Sequence, residues 1–485
     1  MTLTLLVLIP LAASALIGVA RRQWVIEAIH ISALVASLIF AASAGFVVWT
    51  SGTAAGLWDL LHIDQLSMLM VAIITVIAAV SGSCAIGYIR EQFGAYPSRL
   101  RLFYALFQLF VFTMLLAVTT ENLGVMWVAV EGTTLATVFL VNLHDNPMGL
   151  EAAYKYLIIS SVGIALAFMG TVLMYYAAAS HVGEIGLRWT SLLAIAKMLD
   201  PKIVKLAFGF ILIGYGTKAG LAPMHTWLPD AHSEAPAPIS AMMSGVLLNV
   251  GLYAVMRFKT ITDIAIKPEF ASTWLTRFGL LSLGLAAAFL ISQRSYKRML
   301  AYSSVEHTGI VALGLGFGGY WGVIGALLHM LNHALSKSML FILSGNILLK
   351  YKTTEIRGVR GLLKIAPWTG TAFLCGILAL VGLPPFGPFI SEFIIFRAGF
   401  AAHMTAFAVT GIALLAVVFA GMLASVNQML YGEPLEGITA GDPLDRSLIP
   451  IAFNIVVLVG LGLTFPNALR EFLARILTTL GVSPL

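Results

Sequence analysis

Long apolar runs separated by short polar loops dominate the chain. A run of about 20 apolar residues is the length that a helix needs to cross the hydrocarbon core of a bilayer. Counting the runs predicts about fourteen membrane-spanning helices. Their approximate limits are residues 2–20, 25–49, 66–88, 102–119, 122–143, 154–178, 203–228, 236–258, 272–292, 298–318, 321–349, 368–397, 401–431 and 447–466. The pattern therefore predicts an all-α, polytopic membrane protein.

Composition supports this class. Hydrophobic residues make up 59% of the 485 residues and charged residues only 10%, compared with about 25% charged residues in ordinary soluble domains. The net charge is +6, but Lys and Arg stand singly between apolar runs, so we expect lipid around the chain and no nucleic acid. Cys84 and Cys375 form no CxxC pair. Neither a disulfide framework nor an iron–sulfur cluster is indicated, and we expect no cofactor.

Positive charge also predicts the orientation. Lys and Arg are more frequent in the loops after odd-numbered spans, for example at Arg21 and Arg90. The positive-inside rule then places these loops in the cytoplasm and both termini outside. One loop that is assigned to the outside does not follow this trend, because it contains Arg188, Lys197 and Lys202.

Ionisable residues occur inside several predicted spans. Each costs roughly 2.5–3.5 kcal/mol to insert, so it needs a partner, a wet cavity or a function. Glu131 lies in the apolar stretch MWVAVEGTTLA, where it either handles protons or only pairs with a basic helix. Lys218 lies in GYGTKAGLAP, and Glu392 follows GLPPFGPFIS. The glycines and prolines around both residues predict two interrupted helices, whose free backbone groups must line protein or water.

A third group recurs along one predicted helix. His329, His333 and Lys337 are spaced at i, i+4 and i+8, which places them on one face about a turn apart. Histidine holds or releases a proton near neutral pH, so this face suits a proton relay. Metal ligation by the two histidines is the alternative, but no acidic or cysteine residue adjoins them, so we expect no metal site.

Four further residues are secondary candidates. His225 and His232 lie among acids and prolines between two spans. This segment is equally consistent with the polar mouth of a proton path and with a rigid turn. Lys155 and Glu306 complete the set, and we expect both near the membrane surface.

Four strings together carry a family resemblance. MWVAVEGTTLA, KAGLAPMHTWLPDAHSEAPAPIS, KRMLAYSSVEHTG and HMLNHALSKSMLF resemble the proton-translocating antiporter-like subunits of respiratory complex I, Mrp-type antiporters and membrane-bound hydrogenases. GLPPFGPFISEF and YSSVEH are most similar to component F of hydrogenase-4 type complexes. The resemblance implies fourteen helices with two inverted five-helix repeats, each with a broken helix. The implied limits are 1–96 for three N-terminal helices, 97–260 and 268–432 for the repeats, and 440–485 for a C-terminal helix and tail.

The resemblance also implies roles. Glu131 would pair with Lys218, the switching lysine of the first half-channel, and Lys155 would lie beside them. The axial group His329, His333 and Lys337 would carry the proton onward, and Glu392 would serve the second half-channel. One departure is Asn249, because many relatives have Lys or His there. An amide holds water but carries no charge at neutral pH.

The leading hypothesis is a proton-pumping subunit of a redox-driven complex in the cell's inner (plasma) membrane. The chain has no redox centre motif of its own, so other membrane subunits and peripheral redox subunits would perform the oxidoreductase chemistry. The alternatives are an Mrp-type Na⁺/H⁺ antiporter subunit, a proton channel for inorganic-carbon uptake, and a bundle with a purely structural role.

Overall fold

Helices form nearly all of the structure. A computed structural model describes residues 1–57, 59–182, 187–434, 437–443 and 447–482. The helices are α1 (Thr2–Val19), α2 (Gln23–Ser51), α3 (Gln65–Phe93), α4 (Pro97–Thr119), α5 (Leu123–Val141), α6 (Pro147–Val182), α7 (Trp189–Ala194), α8 (Pro201–Ala219), α9 (Trp227–Glu234), α10 (Ala237–Met242), α11 (Leu248–Ala265), α12 (Pro268–Leu290), α13 (Tyr296–Phe317), α14 (Gly319–Tyr351), α15 (Leu362–Ile365), α16 (Pro367–Leu380), α17 (Gly387–Ala401), α18 (Thr405–Tyr431), α19 (Leu448–Leu463) and α20 (Asn467–Thr479). A small antiparallel hairpin, β1 (Ala54–Gly56) with β2 (Leu61–Ile63), precedes α3. The predicted all-α membrane fold is confirmed.

Within the described ranges, ten helices are long and apolar enough to cross a membrane, or eleven if the bent pair α19–α20 forms one span. α8, α13 and α17, which carry Lys218, Glu306 and Glu392, are not among these long apolar helices. The total of fourteen spans, the inverted repeats and the four segment limits therefore stay predictions. Residues 444–446 and 483–485 of the predicted C-terminal segment lie outside the described residues.

Local capping fixes where several helices begin. The Asp64 side chain accepts a hydrogen bond from the backbone N–H of Ser67 (2.9 Å) at the start of α3. Asn122 does the same for the N–H of Gly124 (2.8 Å) at the start of α5. Pro97 occupies the first turn of α4, where a missing N–H costs no intrahelical bond.

Both predicted helix interruptions are confirmed. After α8 the chain passes through Gly220 (φ +75°) and a cis Ala222–Pro223 bond before α9 begins. After α16 it passes through Gly382 (φ +68°) and a cis Pro384–Pro385 bond before α17 begins. Lys218 therefore lies at the end of the first half of one broken helix, and Glu392 lies in the second half of the other.

The centre of the molecule lies at two helical segments. α10 and α11 are joined by a π-helical turn at Met243–Leu247. In the most apolar stretch of this segment 100% of the residues are buried, and in that of α14 94% are buried. The same fraction is only 22% for α18. Because α14 carries the predicted axial group, its three ionisable side chains lie in the interior of the bundle.

Candidate functional site

Lys218 occupies a closed polar pocket. Its side chain is fully buried in the last turn of α8. The Nζ atom donates to Thr134 Oγ1 on α5 (2.7 Å) and to Tyr156 Oη on α6 (2.9 Å), and it lies 4.9 Å from the centre of the Tyr156 ring. Two hydroxyls and an aromatic face stabilise the ammonium where water is excluded.

Glu131 connects to this pocket through a hydroxyl. The half-buried carboxylate accepts hydrogen bonds from Ser161 (2.9 Å) and from Thr134 (3.3 Å). Thr134 therefore donates to Glu131 while it accepts from Lys218. The carboxylate and the ammonium also interact electrostatically. The structure thus brings the predicted acid–base pair together, with one hydroxyl bridging the two charges.

Aromatic rings and a histidine lead from Lys218 toward the centre. The ring of Tyr156 lies 4.8 Å from that of Trp227, and Trp227 lies 6.0 Å from His232. His232 is fully buried and interacts electrostatically with Lys337. His232 therefore lies at the end of the ring series that starts at Lys218 and within electrostatic reach of Lys337.

Lys337 has its own acidic partner. It is fully buried on α14 and donates to the Leu300 carbonyl (2.7 Å) and to the Ser303 hydroxyl of α13. Glu306, also on α13, interacts electrostatically with it. Glu306 is only 3% exposed, so it faces the interior of the helix bundle. A second buried acid–base pair therefore lies between α13 and α14.

Three histidines pack together beyond this pair. His307 Nδ1 lies 2.8 Å from His329 Nε2, and the His307 ring stacks on His329 and His333 with centroids 5.0 and 5.3 Å apart. His329 Nδ1 also lies 2.9 Å from Ser391 Oγ on α17. The sequence analysis missed His307, although it directly follows Glu306. Any ionisable residue inside a span is a candidate, so it could have been found.

Glu392 ends this series. Its carboxylate is buried against Gly382 at the break between α16 and α17. It lies beside His307 and His329, and it interacts electrostatically with Glu306. It also lines a cavity of about 660 Å³ between α16, α17 and α18.

Lys155 and His225 lie away from these clusters. The Lys155 side chain is 47% exposed and pairs with Glu151 (2.6 Å) and Asp230 (3.1 Å). Lys155 therefore lies on the exposed side of α6, and the acids that it pairs with are Glu151 and Asp230. His225 is buried between α8 and α9, where its carbonyl accepts from the N–H of Leu228 (2.9 Å).

Asn249 joins the two central segments. Its Nδ2 donates to the carbonyls of Gly245 (3.0 Å) and Met330 (3.1 Å). Its Oδ1 is buried without a hydrogen-bond partner in the described part of the chain. An amide in this arrangement ties α11 to α14 and leaves one acceptor free for water.

A buried ion pair outside the acid–base series was not predicted. Arg257 on α11 binds both carboxylate oxygens of Asp64 (2.6 and 2.7 Å) and the hydroxyls of Ser67 (2.8 Å) and Tyr253 (3.0 Å). Its guanidinium also lies 4.4 Å from the Trp189 ring. We call this group the Arg257 clamp, and it fixes the middle of α11 to the start of α3.

Comparisons with known proteins identify the family of this chain. Residues 120–419 match the family model described as NADH:quinone oxidoreductase/Mrp antiporter, TM. The chain is 40% identical over 380 residues to the hydrogenase-4 component F homolog of Methylacidiphilum infernorum (isolate V4), covering 78% of this chain and 79% of the relative.

Two solved structures have a similar fold. The membrane-bound sulfane sulfur reductase, an archaeal respiratory membrane complex, contains a chain with TM-score 0.89 and 23% identity, covering 99% of this chain and 98% of that chain. Respiratory complex I from Thermus thermophilus contains one with TM-score 0.76 and 25% identity, covering 96% and 97%. Both matched chains are parts of multi-subunit membrane complexes.

Proposed function

Because this chain belongs to the NADH:quinone oxidoreductase/Mrp antiporter family of membrane subunits, we propose that it translocates protons within a redox-driven membrane complex. The observation that carries the proposal is the series of buried acid–base groups. It starts at Glu131 and Lys218, continues through Lys337 and Glu306, and ends at Glu392 beside two histidines. Buried ionisable groups are costly in a membrane, so a connected series of them favours conduction over a structural role.

Most steps of the proposed route join groups that already interact, and water completes the step beside Asn249. Thr134 links Glu131 to Lys218 by hydrogen bonds. His232 and water held at Asn249 connect this pair to Lys337, which interacts with His232 electrostatically. Movement of charge at one buried pair changes the field at the next pair, because such fields are weakly screened in a dry interior.

From Lys337 the proposed route passes along the stacked histidines. His333 and His329 both contact the His307 ring, and His329 adjoins Glu392. Imidazoles accept a proton on one nitrogen and release it from the other, which suits them to a relay. Glu392 then delivers the proton to the second half-channel.

The two helix breaks support two half-channels. We propose residues 97–260 and 268–432 as inverted five-helix repeats, flanked by 1–96 and 440–485. One repeat contains the break after Lys218 and the other the break before Glu392. An interrupted helix provides backbone groups that line a polar passage at membrane depth.

The driving reaction belongs to partner subunits in this proposal. The family name and the hydrogenase-4 component F homolog support a complex related to complex I and to membrane-bound hydrogenases. Peripheral redox subunits would oxidise the donor, other membrane subunits would pass on the conformational change, and the complex would lie in the inner (plasma) membrane.

Replacing Lys218 tests the proposal. The full complex is reconstituted in vesicles, and acidification is followed with a pH-sensitive dye while the redox reaction runs. Lys218→Ala should abolish proton movement, whereas Lys202→Ala, an exposed lysine on the same helix, should leave it unchanged. Undiminished proton movement in Lys218→Ala would refute the route.

The same vesicles separate the alternatives. The family name also includes Mrp antiporters. Radioactive Na⁺ uptake driven by a pH gradient, in preparations free of redox subunits, would establish Na⁺/H⁺ exchange and exclude a strictly redox-driven pump. Proton conduction that depends on a CO₂-hydrating partner would establish the carbon-uptake alternative.

A further inference from the structure

Three metal-ligating side chains from three helices meet in the interior. His307 of α13, His329 of α14 and Glu392 of α17 each offer one nitrogen or oxygen atom, and these atoms all lie within 4.8 Å of one another. All three side chains are buried. We call this group the His–His–Glu cluster.

The cluster differs from the histidine pair that the sequence suggested. Helical spacing paired His329 with His333 and offered no acidic neighbour. In the structure His329 pairs instead with His307, at 2.8 Å between Nδ1 of His307 and Nε2 of His329, and Glu392 supplies the acid. His333 is not part of the cluster, although its ring stacks on His307.

The surroundings hold two of the ligands in place. The remote nitrogen of His329, Nδ1, lies 2.9 Å from Ser391 Oγ, and that hydroxyl also accepts from Asn332 Nδ2 (3.2 Å). Metal-bound histidines are usually oriented by such a contact at the second ring nitrogen. The Glu392 carboxylate occupies the space above Gly382, where a Cβ atom would overlap it.

We propose that His307, His329 and Glu392 bind a divalent transition-metal ion of the Zn²⁺ class. This binding goes beyond the proposed function and does not depend on it. Two imidazoles and one carboxylate are a common ligand set for zinc, with a fourth position for water or a hydroxyl. Imidazole suits Zn²⁺ and Co²⁺ but not Na⁺, so the cluster is not a site for Na⁺.

The geometry needs only small movements. Zinc–nitrogen distances of about 2.0–2.1 Å at a tetrahedral ion place two ligand nitrogens about 3.3 Å apart. The two imidazole nitrogens are at 2.8 Å, so they must separate by about half an ångström. The carboxylate oxygen lies within 4.8 Å of both nitrogens and must close in by up to about 1.5 Å. Glu392 also lines the mainly apolar cavity of about 660 Å³.

A bound metal would block proton transfer. Both facing nitrogen lone pairs and the carboxylate would coordinate the ion, so none would remain to accept a proton. Protons compete for the same atoms, and metal affinity should therefore fall on acidification. This consequence rests on the proposed route, whereas binding itself does not.

Co²⁺ titration of the purified full chain in lipid nanodiscs tests the binding. Wild type should develop the intense visible absorption of four-coordinate Co²⁺ with one equivalent, and Zn²⁺ should abolish it. Ser391→Ala should weaken binding by about 10–100-fold because it frees the ring of His329. His329→Gln and Glu392→Gln should weaken it more than Ser391→Ala does, and His225→Gln, a buried histidine away from the cluster, should leave it unchanged.

Two results would overturn the metal site. One is the absence of the Co²⁺ band in wild type, and the other is an equal band in His329→Gln and Glu392→Gln. Proton movement is measured separately in vesicles with added Zn²⁺. Zn²⁺ that binds without slowing proton movement would leave the metal site standing and would refute the passage of protons through the cluster.

Discussion

Removing either charge of the Asp64–Arg257 ion pair will destabilise the fold by about 3–5 kcal/mol, because the remaining charge stays buried without its partner. The two side chains are only 5% and 6% exposed, and two hydrogen bonds of 2.6 and 2.7 Å join them. In Arg257→Met the carboxylate keeps the N–H of Ser67. In Asp64→Asn the guanidinium keeps two hydroxyls and an aromatic face. Neither set of contacts neutralises a full charge.

The double variant isolates the pair. Asp64→Asn combined with Arg257→Met leaves no unpaired charge at this position. The double variant should therefore lose less free energy of unfolding than the two single variants together, by about 3 kcal/mol. An exposed pair provides the control. Lys364 and Glu433 lie 3.0 Å apart, but their side chains are 60% and 87% exposed, so their coupling should be about 0.2–1 kcal/mol.

The assay is equilibrium unfolding of the full chain in mixed micelles, with SDS as the denaturant and far-ultraviolet circular dichroism as the readout. Four proteins complete each cycle: wild type, two single variants and the double variant. Single-variant costs at Asp64 and Arg257 that simply add would refute the inference that the two charges depend on each other. A coupling in the exposed pair as large as in the buried pair would also refute it.

Two further substitutions test the site itself. Gly382→Ala forces a Cβ onto a residue with φ +68° and into the Glu392 carboxylate, so it should slow proton movement in vesicles. Gly318→Ala also has a positive φ (+65°, with ψ −158°) but meets no atom closer than 4.0 Å, so it should cost about 1–3 kcal/mol in SDS unfolding and conduct normally. Tyr156→Phe removes a hydroxyl that accepts from the buried ammonium of α8 and should slow proton movement roughly 10–150-fold, since such a bond contributes roughly 1.5–3 kcal/mol. Tyr104→Phe, which loses a hydroxyl with no partner among the described residues, should conduct normally, and equal rates in the two tyrosine variants would contradict this role.

The order of apolar, polar, glycine and proline residues along the chain was sufficient to predict the helices, the two helix breaks and one face of α14. Apolar length defines a span, and glycine with proline predicts where a span is interrupted, as observed after Lys218 and before Glu392. A spacing of four residues places side chains on one helix face. Accordingly, His329 and His333 both contact the ring of His307.

Contacts between helices could not be predicted in the same way. Helical period says which residues share a face but not which neighbouring helix that face meets. The pairing of Lys337 with Glu306, the meeting of His307, His329 and Glu392, and the Arg257 clamp all join different helices. Glu306 is an example, because the sequence alone did not reveal that α13 packs this carboxylate into the interior of the bundle.

Asn249 shows how a route can continue through a position that carries no charge. Many relatives have a basic residue there, whereas the Asn249 amide donates hydrogen bonds to two carbonyls, one in the π-helical turn and one on α14. Its free buried oxygen is costly unless something donates to it, and a water molecule is the smallest group that does so. The ionisable group near this position comes from another element, because His232 of α9 interacts with Lys337. In the proposed route, His232 and water at Asn249 therefore replace a basic side chain at position 249 in linking Lys218 to Lys337.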